Sequence, residues 1–201
     1  MKINSGAKKV TSIGAVAGAI IAAIFAVEDG HVNDPKDPGG ETNHGITIAV
    51  ARSDGYTGAM KDLPKERAEQ IYIKNYIQKP GFEPMLLISP AISHKLIDAG
   101  VNVGTARPVR WFQLALNAVH RDGKDYPQIY VDGKFGSSTL NAYQSLQQVR
   151  GRVKACELML KMLDTQQTNH YMELTHLKVF TVGWIDNRIG NVPLSQCQQD
   201  K

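Results

Sequence analysis

Apolar positions along this chain form one continuous run and then several stretches with helical spacing. The run, VTSIGAVAGAIIAAIFAV, fills residues 10–27 without a single charge. Residues 63–76, LPKERAEQIYIKNY, bring apolar side chains back every three or four positions, and Pro64 suits the first turn of a helix. The same spacing predicts helices over 91–102, ending near Gly100, and over 105–119, where Thr105 is a plausible cap and Pro108 falls in the first turn. Asp132-Gly133 predicts a turn, and Ser137 or Ser138 a cap for a further helix. A last long helix is expected over 153–163, extending towards Tyr171. No alternating strand pattern of any length occurs. The fold expected is mainly α.

The apolar run allows more than one reading. Eighteen residues at about 1.5 Å each span roughly 27 Å, just short of a typical hydrocarbon core. It is rich in Ala and Gly, follows Lys2, Lys8 and Lys9, and would insert only marginally. A buried core helix is one alternative. A cleaved export signal is another, but Ala17-Gly18-Ala19 lies inside the apolar stretch and Phe25 occupies a place where cleavage wants a small residue. The reading preferred is a segment that enters the membrane uncleaved and later leaves it.

Residues 28–47, EDGHVNDPKDPGGETNHGIT, are dense in turn-formers and predict a loop or short twisted hairpin. Glu28 stands where the apolar helix should end. A carboxyl at such a boundary is partly desolvated, which raises its pKa and suits it to protonate a glycosidic oxygen near neutral pH. Asp34, Asp37 and Glu41 follow on the loop, and any of them could supply the second carboxylate that glycoside hydrolysis uses. Calcium-loop spacing is missing. Neither a G-x-S-x-G elbow nor a zinc-spaced His/Cys set is visible, so no metal and no cofactor are expected.

Glu28, Asp37 and Thr42 together resemble the Glu–Asp–Thr arrangement of phage-type lysozymes. The wider string is similar to glycoside hydrolase family 108, a group of phage and bacterial N-acetylmuramidases, through Glu28, Gly30, Asn33, Asp34, Pro35, Asp37, Gly39, Gly40, Thr42, Asn43, Gly45, Ile46 and Thr47. It departs at Asp29, where the family usually has Gly, and at His31, where an aromatic is common. The resemblance implies that Glu28 donates the proton, that Asp37 stabilises charge or activates water, and that Thr42 positions that water or Asp37. His44 and Asn43 would touch substrate. It also implies hydrolysis of the β-1,4 bond between N-acetylmuramic acid and N-acetylglucosamine, with a lytic transglycosylase or a non-catalytic wall-binding membrane protein as alternatives. Residues 10–27 resemble the signal-arrest-release segments of certain phage endolysins, which implies a bacteriolytic enzyme held inactive at the host inner membrane and then active in the periplasm.

The second half resembles the predicted peptidoglycan-binding subdomain that follows family 108 catalytic regions. Asp98, Asn102, Gly104, Gln113, Ala115, Leu116, Asp132, Gly133, Gly136, Thr139, Gly183, Trp184 and Arg188 carry that likeness. D-G-x-x-G-x-x-T is equally good turn-and-cap chemistry, and Trp184 suits a core better than a sugar platform. The organisation expected is an export and membrane segment (1–27), a lysozyme-like catalytic region (28–95) and a helical wall-binding subdomain (96–201). A net charge of +4 favours anionic polymers, but Lys and Arg are scattered, so nucleic acid is not expected as a partner; the resemblance implies peptidoglycan as the partner of a monomer. Cys156 and Cys197 could form one disulfide in an exported chain.

Overall fold

A computed structural model describes residues 5–27, 30–33 and 40–200, with side chains in the first helix described over 13–26. Glu28 and Asp37 lie outside the described residues. The chain divides into two compact units, Met1–Lys79 and Pro80–Lys201.

In the first unit, α1 (Ser5–Val27) buries Ala17, Ile20, Ile21, Ile24 and Phe25, a stripe at three- and four-residue steps that defines one helix face. The exposed face consists of Gly14, Ala15, Gly18, Ala19, Ala22, Ala23 and Ala26. Among the described residues no helix is long and apolar enough to cross a membrane. Residues 13–26 alone would extend about 21 Å.

Three two-residue strands, β1 (His31–Val32), β2 (Thr42–Asn43) and β3 (Ile46–Thr47), form an antiparallel sheet in that order. The β2–β3 hairpin closes on His44-Gly45, both at positive φ (50° and 70°), the geometry of the tight turns that match strand twist. Thr47 then caps α2 (Ile48–Ser53) by accepting from the Val50 amide at 3.3 Å. Asp54 at the end of α2 pairs with Arg67 at 2.7 Å and Lys74 at 2.5 Å. These cations sit on α3 (Lys65–Tyr72) and on the π-helix Ile73–Gln78 that continues it. The single helix expected over 63–76 therefore changes its winding halfway. Pro64 is its N-cap residue.

The second unit is helical throughout its described elements: α4 (Glu83–Ile88), α5 (Pro90–Val103), α6 (Ala106–Val119), α7 (Ser137–Arg150), α8 (Arg152–Glu173) and α9 (Lys178–Arg188). Helix α5 is its axis. Every residue from Ala91 to Gly100 is buried, because α4, α6, α8 and the C-terminal turn Leu194–Asp200 all pack on it. Ser89 caps it and Pro90 opens it. A disulfide joins Cys156 of α8 to Cys197 of that turn, with Cα atoms 5.6 Å apart. The division expected at 95/96 falls inside α5.

Candidate active site and the second unit

The first unit brings the end of α1 to the hairpin. Phe25, 6% exposed, places its ring 5.7 Å from that of His44 and 5.2 Å, edge-on, from that of Tyr72. The Lys65 ammonium lies 5.6 Å from the Phe25 ring centre. The Tyr72 hydroxyl donates to the His44 carbonyl at 3.2 Å, so one tyrosine fixes both the helix end and the hairpin turn. This clasp holds the last turn of α1, and Glu28 is the next residue in sequence after that helix.

Thr42, half-buried in β2, pairs with Val32 on one side and Thr47 on the other. Its neighbour Asn43 is buried, and its Nδ2 donates to the Met60 carbonyl at 2.7 Å and to that of Lys61 at 3.2 Å. Asn43 thus brackets the hairpin against the 3₁₀ turn Met60–Asp62. His44 is partly accessible, with its ring packed on Phe25. Glu41 Oε1 lies 2.7 Å from His31 Nε2, and the Glu41 carbonyl receives the Ile48 amide at 2.8 Å. Thr42, Asn43 and His44 therefore share one hairpin with Glu41 beside it.

Sequence reading missed Phe25 and Tyr72 as parts of this site. Phe25 merged into the apolar run, although its position three residues before Glu28 marked it as a side chain on the terminal turn. Asp54 was missed too. The hydrogen bond from Lys74 holds its carboxyl below the usual carboxylate range, aided by the charges of Lys74, Arg67 and Lys79. Among the described residues no group of His, Cys, Asp and Glu could hold a metal ion.

In the second unit, the residues that carried the resemblance are mostly bonded to the protein itself. Arg188 Nη1 donates to Asp98 Oδ1 at 2.7 Å, both side chains being buried. Lys95 reaches Asp164 at 2.5 Å and the Arg188 carbonyl at 2.7 Å. Burial pushes the Asp98 carboxyl up to about 6, against the pull of Asn191 and Lys95, and lowers Arg188 to about 10. Asn102 accepts from the Tyr171 hydroxyl at 2.8 Å. Gln113 ties the Asp132 turn together. Its Nε2 donates to Asp132, the Lys134 carbonyl and Thr139, and its Oε1 accepts from the Gly133 amide at 2.9 Å. Trp184 packs between Phe180 and Tyr171 at 5.8 and 5.2 Å, half-buried. These are the internal brackets of a helical fold.

Residues 21–104 match the family described as Glycosyl hydrolase 108, and residues 107–189 the one described as Predicted Peptidoglycan domain. No curated protein matches the chain at a significant level. Among solved structures it is similar to Brucella abortus SagA, at 28% identity and a TM-score of 0.68, over 92% of this chain and 95% of that one. The chain thus carries a lysozyme-like glycosyl hydrolase 108 domain followed by a helical predicted peptidoglycan domain, the make-up of a glycoside hydrolase that acts on peptidoglycan.

Proposed function

We propose that the chain is an N-acetylmuramidase that hydrolyses the β-1,4 bond between N-acetylmuramic acid and N-acetylglucosamine. Glu28 is the general acid, Asp37 the second carboxylate, and Thr42 the residue that orients water or Asp37. The observation that carries this reading is the clasp of Phe25, His44 and Tyr72. It fixes the helix turn preceding Glu28 against the hairpin that bears Thr42, inside a region matching a glycosyl hydrolase family. A general acid works only if held within reach of the leaving oxygen, and a fixed helix turn just before Glu28 supports that role. His44 meets the substrate from the turn, while Asn43 acts through the backbone it braces. Glu28→Gln tests this: the amide keeps shape but has no proton to give, so turnover on purified sacculi should fall by at least ~10²–10⁴-fold in a folded protein. Near-normal turnover would refute the assignment. Asp37→Asn should also impair turnover, and Asp34→Asn should not.

The setting that fits is lysis by a phage endolysin acting as a monomer, with α1 as a signal-arrest-release segment and a passage from inner membrane to periplasm. Two features support it. Over the described side chains 13–26, the exposed positions of α1 are all Gly and Ala, small and uncharged. The Cys156–Cys197 disulfide belongs in an oxidising compartment. Replacing Gly14, Gly18 and Ala19 with Leu should keep the protein in the membrane fraction after depolarisation. Release of that variant as readily as wild type would contradict this setting.

A further inference from the structure

Helix α9 turns one face to its own unit and the other to solvent. On the inner side Trp184 packs against Tyr171 and Phe180, and Arg188 is buried. On the outer side Val179 and Val182 are 78% and 71% exposed, with Gly183 and Asp186 exposed beside them. The spacing of these four positions makes one stripe along the helix. Local preference explains none of it. β-Branched residues and glycine are both poorer helix formers than the residues usual on a solvated face. Gly183 also has no internal reason for its size, since a Cβ there would meet nothing within 4 Å among the described residues.

Charge supplies an orientation. Lys178 opens the helix and Asp186 lies near its end, so each stands where its own helix dipole disfavours it. Among the described residues neither has an ion pair or a side-chain hydrogen bond. Lys178, Val182 and Asp186 fall at four-residue steps on a single ridge, with Val182 midway. A second copy of this helix laid antiparallel across Val182 sets each Lys178 beside an Asp186. Each cation then lies at the C-terminal end of the neighbouring helix and each acid at an N-terminal end, the ends that favour them. The hollow at Gly183 receives a valine of the other copy. A parallel pair would instead set lysine against lysine and acid against acid.

We infer that the exposed stripe of α9 is the contact of a twofold pair of this chain, the two copies crossing antiparallel at Val182. The same patch serves both copies, as a closed symmetric pair requires. One helix stripe is small beside the ~1,200 Å² or more that stable complexes bury. The pair is therefore weak: the chain is a monomer in dilute solution and doubles where copies crowd. Each copy keeps its own first unit, and the inference does not depend on the hydrolase reading.

Sedimentation equilibrium of the full chain up to about 1 mM tests it. The expected result is a concentration-dependent approach to dimer with no larger species. Lys178→Glu and Asp186→Lys should each weaken pairing at least fivefold, and a chain carrying both should pair more tightly than either. Val182→Glu should abolish pairing. Gly183→Leu adds apolar surface but closes the hollow, so pairing should fall while helix content by circular dichroism is kept. A chain that stays monomeric up to that concentration, or that grows into larger aggregates, would overturn the inference. So would additive losses in the double charge variant, or tighter pairing in Gly183→Leu. Flotation with phosphatidylglycerol vesicles that is lost in Val182→Glu, without self-association, would give the stripe to a lipid surface and overturn it too.

Discussion

Replacing Phe25 separates the stability of the first unit from its chemistry. The ring is 6% exposed and has two aromatic partners, His44 at 5.7 Å and Tyr72 at 5.2 Å, with Lys65 over its face at 5.6 Å. Aromatic pairs contribute about 0.5–1.5 kcal/mol each beyond burial, and an exposed cation over a ring about 0.5–1 kcal/mol. Phe25→Leu keeps most of the apolar volume, so its cost should be about 2 kcal/mol. Phe25→Ala also leaves a cavity and should cost about 3–5 kcal/mol. Urea denaturation measures both. The leucine variant remains folded, yet the turn before Glu28 loses the planar contacts that fix its angle. A displacement of about 1 Å at a catalytic group can cost about 10²-fold. Turnover of Phe25→Leu should therefore fall tenfold or more through kcat, with KM little changed. A folded Phe25→Leu protein within twofold of wild-type kcat would show that the clasp does not position the acid.

Gly133 sits at φ 75°, and a Cβ there would lie 2.9 Å from the Ala106 carbonyl oxygen, so Gly133→Ala should cost about 1–3 kcal/mol and lower Tm in calorimetry. Reducing the disulfide, or Cys156→Ser with Cys197→Ser, opens a 41-residue loop and should lower denaturation stability by about 4 kcal/mol in the chain-entropy model. Because the Asp54 carboxyl is depressed in the fold, its contribution is present above the unfolded value of 3.8 and lost as pH falls through the lower, folded value. Asp54→Asn should flatten this acid limb of the stability curve, and an unchanged limb would remove the Arg67 and Lys74 pairs from the account.

Periodicity made the long helices legible because each buries a defined face. The ends of α5, α6 and α8 lie close to those expected. The short helices α2 and α4, six residues each, offer too few turns for a period to emerge. Helix α9 carries Gly183 at its centre and no side-chain cap, so nothing local announces it. The cap expected from Ser137 or Ser138 is taken by Gly136 in extended backbone, and Thr105 makes no capping bond. The hairpin was legible in the turn-formers of residues 28–47, and Thr42, Asn43 and His44 share it. What brings the hairpin to α1 was not. Phe25 and Tyr72 look like ordinary core residues until their partners are known. The polar residues in the second unit's resemblance acquired their physical reason only in three dimensions, where Asp98 meets Arg188 ninety positions away.

Hydrolysis of the muramic acid glycosidic bond is the activity proposed for the first unit. Mass spectrometry of the fragments released from purified peptidoglycan tests it most directly. The account predicts disaccharide peptides ending in N-acetylmuramic acid that carry one added water and are reducible by borohydride, with release lost in Glu28→Gln. Fragments ending in anhydro-muramic acid would make the enzyme a transglycosylase. Ends at N-acetylglucosamine would place the cut at the other bond, and either result would contradict the account.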